Sequence, residues 1–337
     1  MDIVNNNISS PRTLSNNELE FYHKHGYLIV KNVFNGSDFK EFEDDYAKLI
    51  DIKAKELFEQ KKITDLKKDL TFQYRFAAIA EQCNDEVFHK DIIPFCRRLD
   101  CMFARTKGFM NFMFNKKLLS VVESIVGPEI TVNPIQHVRA YLPARNGQHN
   151  RNLSEDGSGN TSIAHPALAP WHQDQGVTRE EADQSEILTT WTPLFDVGIA
   201  PGLAGPLQVM PNRIKNGLLP HIRADYGTTI DTNLIKKNEV GVNCVMKRGD
   251  VLFIHRFTPH RGTLNLSNYV RWSIDLRFQK TGTPTGRHFW PEFIAKTAAA
   301  DQSIIQNDYE TWKKRWIHDL EHSKGERWHR VADSGDF

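Results

Sequence analysis

The sequence predicts a mainly β fold with helical decorations, a sandwich or barrel of the jelly-roll type. Two observations carry this. Short strand candidates at 186–194, 205–210, 240–246, 251–255 and 269–279 follow one another, separated by turn residues. In the last of them Arg271, Ser273, Asp275 and Arg277 alternate with Trp272, Ile274, Leu276 and Phe278, a period of two with one polar and one apolar face.

Residues 1–12 are polar and form no predicted element. Ser15-Asn16-Asn17-Glu18 reads as a capping box that opens a short helix, and His25-Gly26 ends it. Tyr27 to Phe34 reads as a strand. Ser37 is expected to cap a longer helix, whose apolar positions Phe39, Phe42, Tyr46, Leu49 and Ile50 recur at helical spacing. Residues 53–115 alternate between charged and aromatic and read as helices and loops covering one side of the fold. Leu118, Val122 and Ile125 mark a further helix, stopped by Gly127-Pro128. Ile130 to Leu142 is a strand demoted to an edge or bulged position by Pro134. From Pro143 to Pro170 the chain is rich in Gly, Asn and Ser without periodicity, and a loop this long inside a compact domain is usually functional or disordered. Trp312, Trp316 and Leu320 place a helix near the end, expected to pack on the sheet. One domain over 1–337 accounts for this order: a helical cover at 13–128, a β core at about 129–280 with the insertion 143–170, and a helical extension at 281–337.

Composition narrows the function classes. The chain has 43 basic and 42 acidic residues, a net charge of +1, so it offers no electrostatic basis for binding nucleic acid or an anionic membrane. No apolar stretch approaches a membrane span, and the start of the chain has no signal-peptide pattern. Cys83, Cys96, Cys101 and Cys244 form no metal or redox spacing, so free thiols in a reducing cytoplasm are expected.

The chemistry centres on Trp171-His172-Gln173-Asp174. On a strand, His172 and Asp174 would point to one face and share a divalent metal. A salt-bridged surface pair is the plainer alternative, since 14 His and 42 acids produce many such spacings. Pro259-His260, after the apolar run Val251 to Ile254, would supply a second imidazole. Two His and one carboxylate form the facial triad that leaves open positions on non-haem Fe(II). His255 competes with His260 for that place. Arg271 follows His260 by eleven residues.

Together, Trp171-His172-Gln173-Asp174, His260, Asn265 and Arg271 resemble the motif set of the phytanoyl-CoA dioxygenase family of Fe(II)/2-oxoglutarate oxygenases. Leu14 to Phe34, Gly205 to Pro211 and Arg248 to Phe253 also resemble that family's helix–strand start, its mid-domain strand and its turn before the distal His. The similarity runs over about 14–280. The chain departs from the family at Pro211-Asn212-Arg213-Ile214, where Pro-Gly-Ser-His is common, and at Gly262-Thr263, where a Ser two after the distal His is common.

The resemblance implies a double-stranded β-helix (jelly-roll, cupin-like) core, with Fe(II) as cofactor and 2-oxoglutarate and O₂ as co-substrates. It implies His172, Asp174 and His260 as metal ligands and catalytic centre, because the family's Arg lies eleven residues after its distal His. Arg271 would hold the far carboxylate of 2-oxoglutarate through a planar bidentate guanidinium. An ion pair with Asp275 is its alternative role, and Arg277 is the second candidate anchor. Gln136 matches a Gln lining the family's co-substrate pocket, or is an amide of the barrel wall. Thr263 stands near the family's Ser hydroxyl. Trp191 reads equally as core or pocket wall. His137, His149 and His165 have no spacing partner. The implied activity is oxidation of an unactivated C–H bond of a small-molecule metabolite, with release of succinate and CO₂. Asp174 argues against halogenation, which relatives perform with a small residue there. A cupin-type metalloenzyme without 2-oxoglutarate and a catalytically silent jelly-roll binding protein are the rival readings. The 143–170 segment is expected to be a lid over the substrate mouth, with Arg145, His149, Arg151 and His165 placed to touch a polar or anionic substrate.

Overall fold

The N-terminal signals fold as their chemistry dictates. In the computed structural model, which describes residues 12–144, 169–199, 204–223, 228–235 and 241–331, Ser15 and Glu18 close a reciprocal capping box at the head of α1 (Asn16–His25). Gly26 ends that helix in the left-handed region at φ 83°. The helical cover then comprises α2 (Lys40–Glu59), α3 (Phe72–Glu81), α4 (Asp85–Val87), α5 (Ile93–Arg98), α6 (Cys101–Ala104), α7 (Lys107–Met113) and α8 (Lys116–Val126). The expected cap at Ser37 is corrected. Asn35 accepts the backbone N–H of Ser37 and opens a 3₁₀ turn, and α2 continues from it.

The described residues form twelve strands in this order: β1 (Tyr27–Val30), β2 (Ile130–Val132), β3 (His137–Tyr141), β4 (Leu188–Pro193), β5 (Leu207–Val209), β6 (His221–Arg223), β7 (Thr228–Ile230), β8 (Val242–Asn243), β9 (Val251–His255), β10 (His260–Gly262), β11 (Arg271–Lys280) and β12 (Phe293–Lys296). A larger sheet runs β1-β9-β4-β11-β2-β12, with β3 also on β11. A smaller one runs β10-β5-β8, and β6 pairs β7. Every pairing is antiparallel.

The strand expected over 130–142 is two strands. Pro134 has no N–H to give the ladder, and the chain breaks at Asn133–Gln136 before pairing β11 again. Asn133 holds the break: its N–H reaches Arg277 O at 2.8 Å and its side chain bonds Gln279 and the Thr285 carbonyl.

β11 organises the layers. Trp272, Ile274, Leu276 and Phe278 are buried in one cluster with α2, α7 and α8. Each such side chain contributes roughly 1.5–3 kcal/mol when fully buried, so this face fixes the register. The opposite face, with Arg271, Ser273, Asp275 and Arg277, turns towards β5 and β10 of the smaller sheet and lines the space between the sheets. Two sheets face each other with helices on the outside of the larger, the jelly-roll arrangement expected.

The turn before β9 is locked in place. Gly249 adopts φ 98°, a Cβ there would lie 2.4 Å from the Phe34 carbonyl oxygen, and Phe34 donates back to Gly249 O. Arg248 ties it to the cover through Glu43 and the ring of Phe39.

Near the end, Trp312 and Trp316 are fully buried on α10 (Tyr309–His322, following the short helix α9 at Asp174–Val177). They meet Phe109 of α7 and Trp290, and Arg315 of the same helix lies over the Phe293 ring of β12, so the helix packs on the cover as well as on the sheet as expected. The segment expected as a helical extension also supplies β12, which pairs β2. The expected lid at 143–170 falls, but for its ends, outside the described residues, as do Arg145, His149, Arg151 and His165. No helix among the described residues is long and apolar enough to cross a membrane.

Candidate metal centre

His172 and His260 face each other across an antiparallel bridge. Each donates its backbone N–H to the other's carbonyl, at 3.0 and 2.9 Å, and their ring centroids lie 4.2 Å apart. His260 starts β10, but the expected strand at 171–174 is corrected: His172 is a single bridge residue, Gln173 is extended, and Asp174 begins α9. Gln173 makes that geometry. Its buried side chain donates to the Gly217 and Phe257 carbonyls and accepts from the Leu219 N–H, which directs it away from its neighbours. Its N–H donates to His221 Nε2 at 3.0 Å. His172 and Asp174 therefore still converge, by a turn in place of a pleat.

Among the described residues, His172, Asp174 and His260 form one group whose ligand atoms all lie within 4.8 Å of one another. The donor set fits a divalent transition metal. His172 Nδ1 donates to the Pro170 carbonyl at 2.8 Å and His260 Nδ1 to the Thr258 carbonyl at 3.0 Å. A carbonyl only accepts, so both rings carry the proton on Nδ1 and present the Nε2 lone pair inward. Burial, then the neighbouring His260, pushes the His172 pKa down to about 3, which keeps it neutral. Burial alone would raise the Asp174 pKa; Arg277, His260 and His172, with the Thr189 hydroxyl, outweigh it and hold the carboxyl well below the usual range. Arg277 donates to Asp174 Oδ1, and Thr189 Oγ1 to Oδ2 at 2.5 Å. His255 lies elsewhere, beside Tyr22 and Phe257, with Glu186 at 4.0 Å.

The two His border a cavity of about 190 Å³, many times the ~10–15 Å³ that holds one water. Arg271 and Trp191 line it. Arg271 is buried, with its guanidinium 4.0 Å from the Tyr141 ring centroid and 5.3 Å from that of Trp191. It bonds Ser273 Oγ at 3.3 Å, its Nε has no partner, and among the described residues it forms no ion pair within 4.0 Å. Asp275 lies instead 3.9 Å from Arg139. Trp191 is both core and wall, since it also packs with Val209, Leu252 and Ile254 between the sheets. Arg277 is committed to Asp174 and the Ile135 carbonyl.

Two expected co-substrate contacts are not brought to the cavity. Gln136 lies buried in the β2–β3 break with its amide on Asn133 O, and Thr263 donates to Pro206 O at 2.6 Å. His137 lines the cavity but is held by Asp100 at 2.8 Å. Asn265 acts structurally, bonding the Tyr141 and Tyr269 carbonyls beside the start of β11. Thr189 carried no signal in the sequence. Arg277 carried one, its place on the polar face of β11, without indicating which group it would meet.

The model of the family described as phytanoyl-CoA dioxygenase (PhyH) matches residues 22–273, well over half of the chain. The chain belongs to the phytanoyl-CoA dioxygenase family. As a member it is a non-haem iron, 2-oxoglutarate-dependent oxygenase, with Fe(II) as cofactor and 2-oxoglutarate and O₂ as co-substrates. It is similar to the peroxisomal phytanoyl-CoA dioxygenase of Bos taurus, 23% identical over 274 residues that span 79% of this chain and 68% of the relative. The Homo sapiens protein is 23% identical over 276 residues, spanning 79% and 70%. Similar solved structures include EvdO2 from Micromonospora carbonacea var. aurantiaca complexed with 2-oxoglutarate, at 16% identity, TM-score 0.45, covering 88% of this chain and 99% of that one. EctD from S. alaskensis with 2-oxoglutarate and 5-hydroxyectoine has 13% identity, TM-score 0.46, and coverage of 80% and 77%.

Proposed function

We propose that this phytanoyl-CoA dioxygenase family member hydroxylates, or otherwise oxidises, an unactivated C–H bond of a small-molecule metabolite, releasing succinate and CO₂. In this reading His172, Asp174 and His260 hold the Fe(II). The observation that carries it is the convergence of three ligand atoms within 4.8 Å, each from a side chain whose remaining polar atoms are already committed. Bound iron with 2-oxoglutarate and O₂ supplies the oxidant.

The chain's own residues do the rest. The Pro170 and Thr258 carbonyls fix the two imidazole tautomers, and Arg277 and Thr189 fix the carboxylate. Arg271 holds the far carboxylate of 2-oxoglutarate: it is a buried, permanently charged fork with no counter-ion among the described residues, set between the faces of Tyr141 and Trp191. Apolar walls, including Ile93, Met102 and Phe103, keep water from the reacting centre. Asp174 fills the place a halide would need, which favours oxygenation over halogenation. Cys83, Cys96, Cys101 and Cys244 form no disulfide, which supports a reducing compartment such as the cytoplasm.

The test is to add Fe(II) and 2-oxoglutarate without oxygen, look for the metal-to-ligand charge-transfer band, then admit oxygen and assay succinate. A band followed by slow uncoupled succinate is expected. Metal binding without the band would overturn the co-substrate reading, and neither signal would overturn the oxygenase reading altogether.

A further inference from the structure

Besides Arg271 and Arg277, the cavity contains a third buried guanidinium, one that the proposed metal and 2-oxoglutarate sites leave unused. Arg287, on the turn after β11, is 2% exposed and lines the cavity. Its NH1 donates to the Gly286 carbonyl at 2.8 Å and its NH2 to the Val177 carbonyl at 3.0 Å; its Nε has no partner. Five N–H groups are available on a guanidinium, so three remain. Among the described residues no carboxylate lies within 4.0 Å of it.

Each acid around the cavity has a cation or imidazole nearer than Arg287, although one oxygen of Asp275 has no hydrogen-bond partner. Asp174 is held by Arg277, Asp100 by His137, and Asp275 lies beside Arg139. Glu181, whose charge reaches Arg287, is engaged by Arg179 at 3.6 Å and His288 at 3.0 Å. Burial, then the charges of Arg277 and Arg179, pulls the Arg287 pKa down to about 9, as expected for a cation lacking a counter-ion. A purely structural tether between two neutral carbonyls would not need a buried charge.

We propose that Arg287 binds a carboxylate of the substrate, so that the oxidised metabolite is a molecule with an apolar body and an acid group. This rests on the reading above, in which Arg271 is occupied by 2-oxoglutarate. Arg271 and Arg277 stand six residues apart on β11, roughly 20 Å along a strand. Arg287 bonds the carbonyl of Val177, the last residue of the helix that begins at Asp174, which puts it at the Arg277 end, away from Arg271. One guanidinium matches one carboxylate, which takes two of its three remaining N–H groups in a bidentate pair. The apolar body has its own surface. Trp290 lies with its ring centroid 5.9 Å from the Arg287 guanidinium and 4.5 Å from that of Trp328, and both rings line the cavity. Ion pairs from Glu326, Arg327 and Arg330 to Arg179, Glu180 and Asp183 fasten the Trp328 segment over this end.

The test uses benzoate and its neutral isostere benzamide, titrated by calorimetry into protein loaded anaerobically with Fe(II) and 2-oxoglutarate. The charge-transfer band reports loading, and hence the reading above, independently of the titration. Benzoate is expected to bind at least about tenfold tighter than benzamide. Arg287→Gln should remove that preference while leaving benzamide affinity unchanged, and Arg287→Lys should keep part of it. The preference should persist in Arg271→Gln protein without co-substrate, an arm that holds whether or not the band forms. Equal affinities in the unaltered protein would overturn the proposal without recourse to any variant. So would a preference that survives in Arg287→Gln or disappears in Arg271→Gln.

Discussion

Arg277, on β11, donates a hydrogen bond to Oδ1 of Asp174, the first residue of α9. The other carboxylate oxygen receives the Thr189 hydroxyl at 2.5 Å, so the group is held from both sides. Replacing Arg277 with Ala should lower Fe(II) affinity by about 10–100-fold, and Thr189→Val should fall nearer the lower figure. Anaerobic iron titration checks both, and unchanged affinity in both variants would show that the carboxylate needs no orienting. Apo Arg277→Ala should also lose roughly 3–5 kcal/mol of stability, because Asp174 is then left charged and buried.

The ligands themselves should matter more. His172→Ala, Asp174→Ala and His260→Ala are each expected to weaken iron binding by more than about a hundredfold, beyond the loss from an orienting residue. Circular-dichroism melting should show folded protein, since the barrel packs through clusters that do not include the metal. His255→Ala should bind iron normally. Loss of binding in that variant together with retention in His260→Ala would reassign the distal ligand.

Arg271→Ala and Arg271→Lys should raise the 2-oxoglutarate requirement by about two to three and a half decades, from roughly 3–5 kcal/mol lost on breaking one side of a buried pair. Iron affinity should change little. Lys is not a rescue, because a point charge cannot match a planar carboxylate bidentately. The concentration dependence of uncoupled succinate formation gives the number.

Acid should destabilise the fold through its buried imidazoles. Burial, with Arg256 and His23 beside it, lowers the His255 pKa to about 4; burial, with Arg287 beside it, lowers that of His329 to about 3. Each therefore protonates in the unfolded chain first, near the ordinary 6.5. Between the two values the unfolded state binds more protons, so stability rises with pH there and is lost as pH falls. From pH 7 to pH 5 the loss should be on the order of 1–2 kcal/mol per imidazole, read from urea denaturation. His255→Asn should flatten the profile.

Much of this was legible in the residues. The two-residue alternation of β11 is unambiguous because its apolar face meets helices while the polar face meets the cavity. The departure at Asn212 is also intelligible: where the family has Gly, Asn212 adopts φ 64°, a conformation Asn tolerates better than most side chains. What the sequence concealed depended on distant partners. The turn at Asp174 is made by Gln173 bonding to carbonyls 44 and 84 residues away, and no local period encodes that. Thr189 looks like any β-branched strand residue until Asp174 is set against it. Gln136 and Thr263 have side chains suited to a co-substrate, but the Asn133 carbonyl takes the Gln136 amide N–H and the Pro206 carbonyl takes the Thr263 hydroxyl.

The pairing of β1 with β9 also constrains how the protein is made. Tyr27 sits opposite Ile254, so the N-terminal strand must wait for most of the chain before it has a neighbour. His172 and Asp174 are synthesised before His260, a lag of roughly 4–18 s at ~5–20 residues per second. Until His260 has emerged, only two of the three proposed donors exist, and Asp174 is not yet held by Arg277 of β11. If these three residues are the ligands, tight iron uptake has to wait for β10 and β11, and slow closure of long-range strand pairs sets its earliest moment.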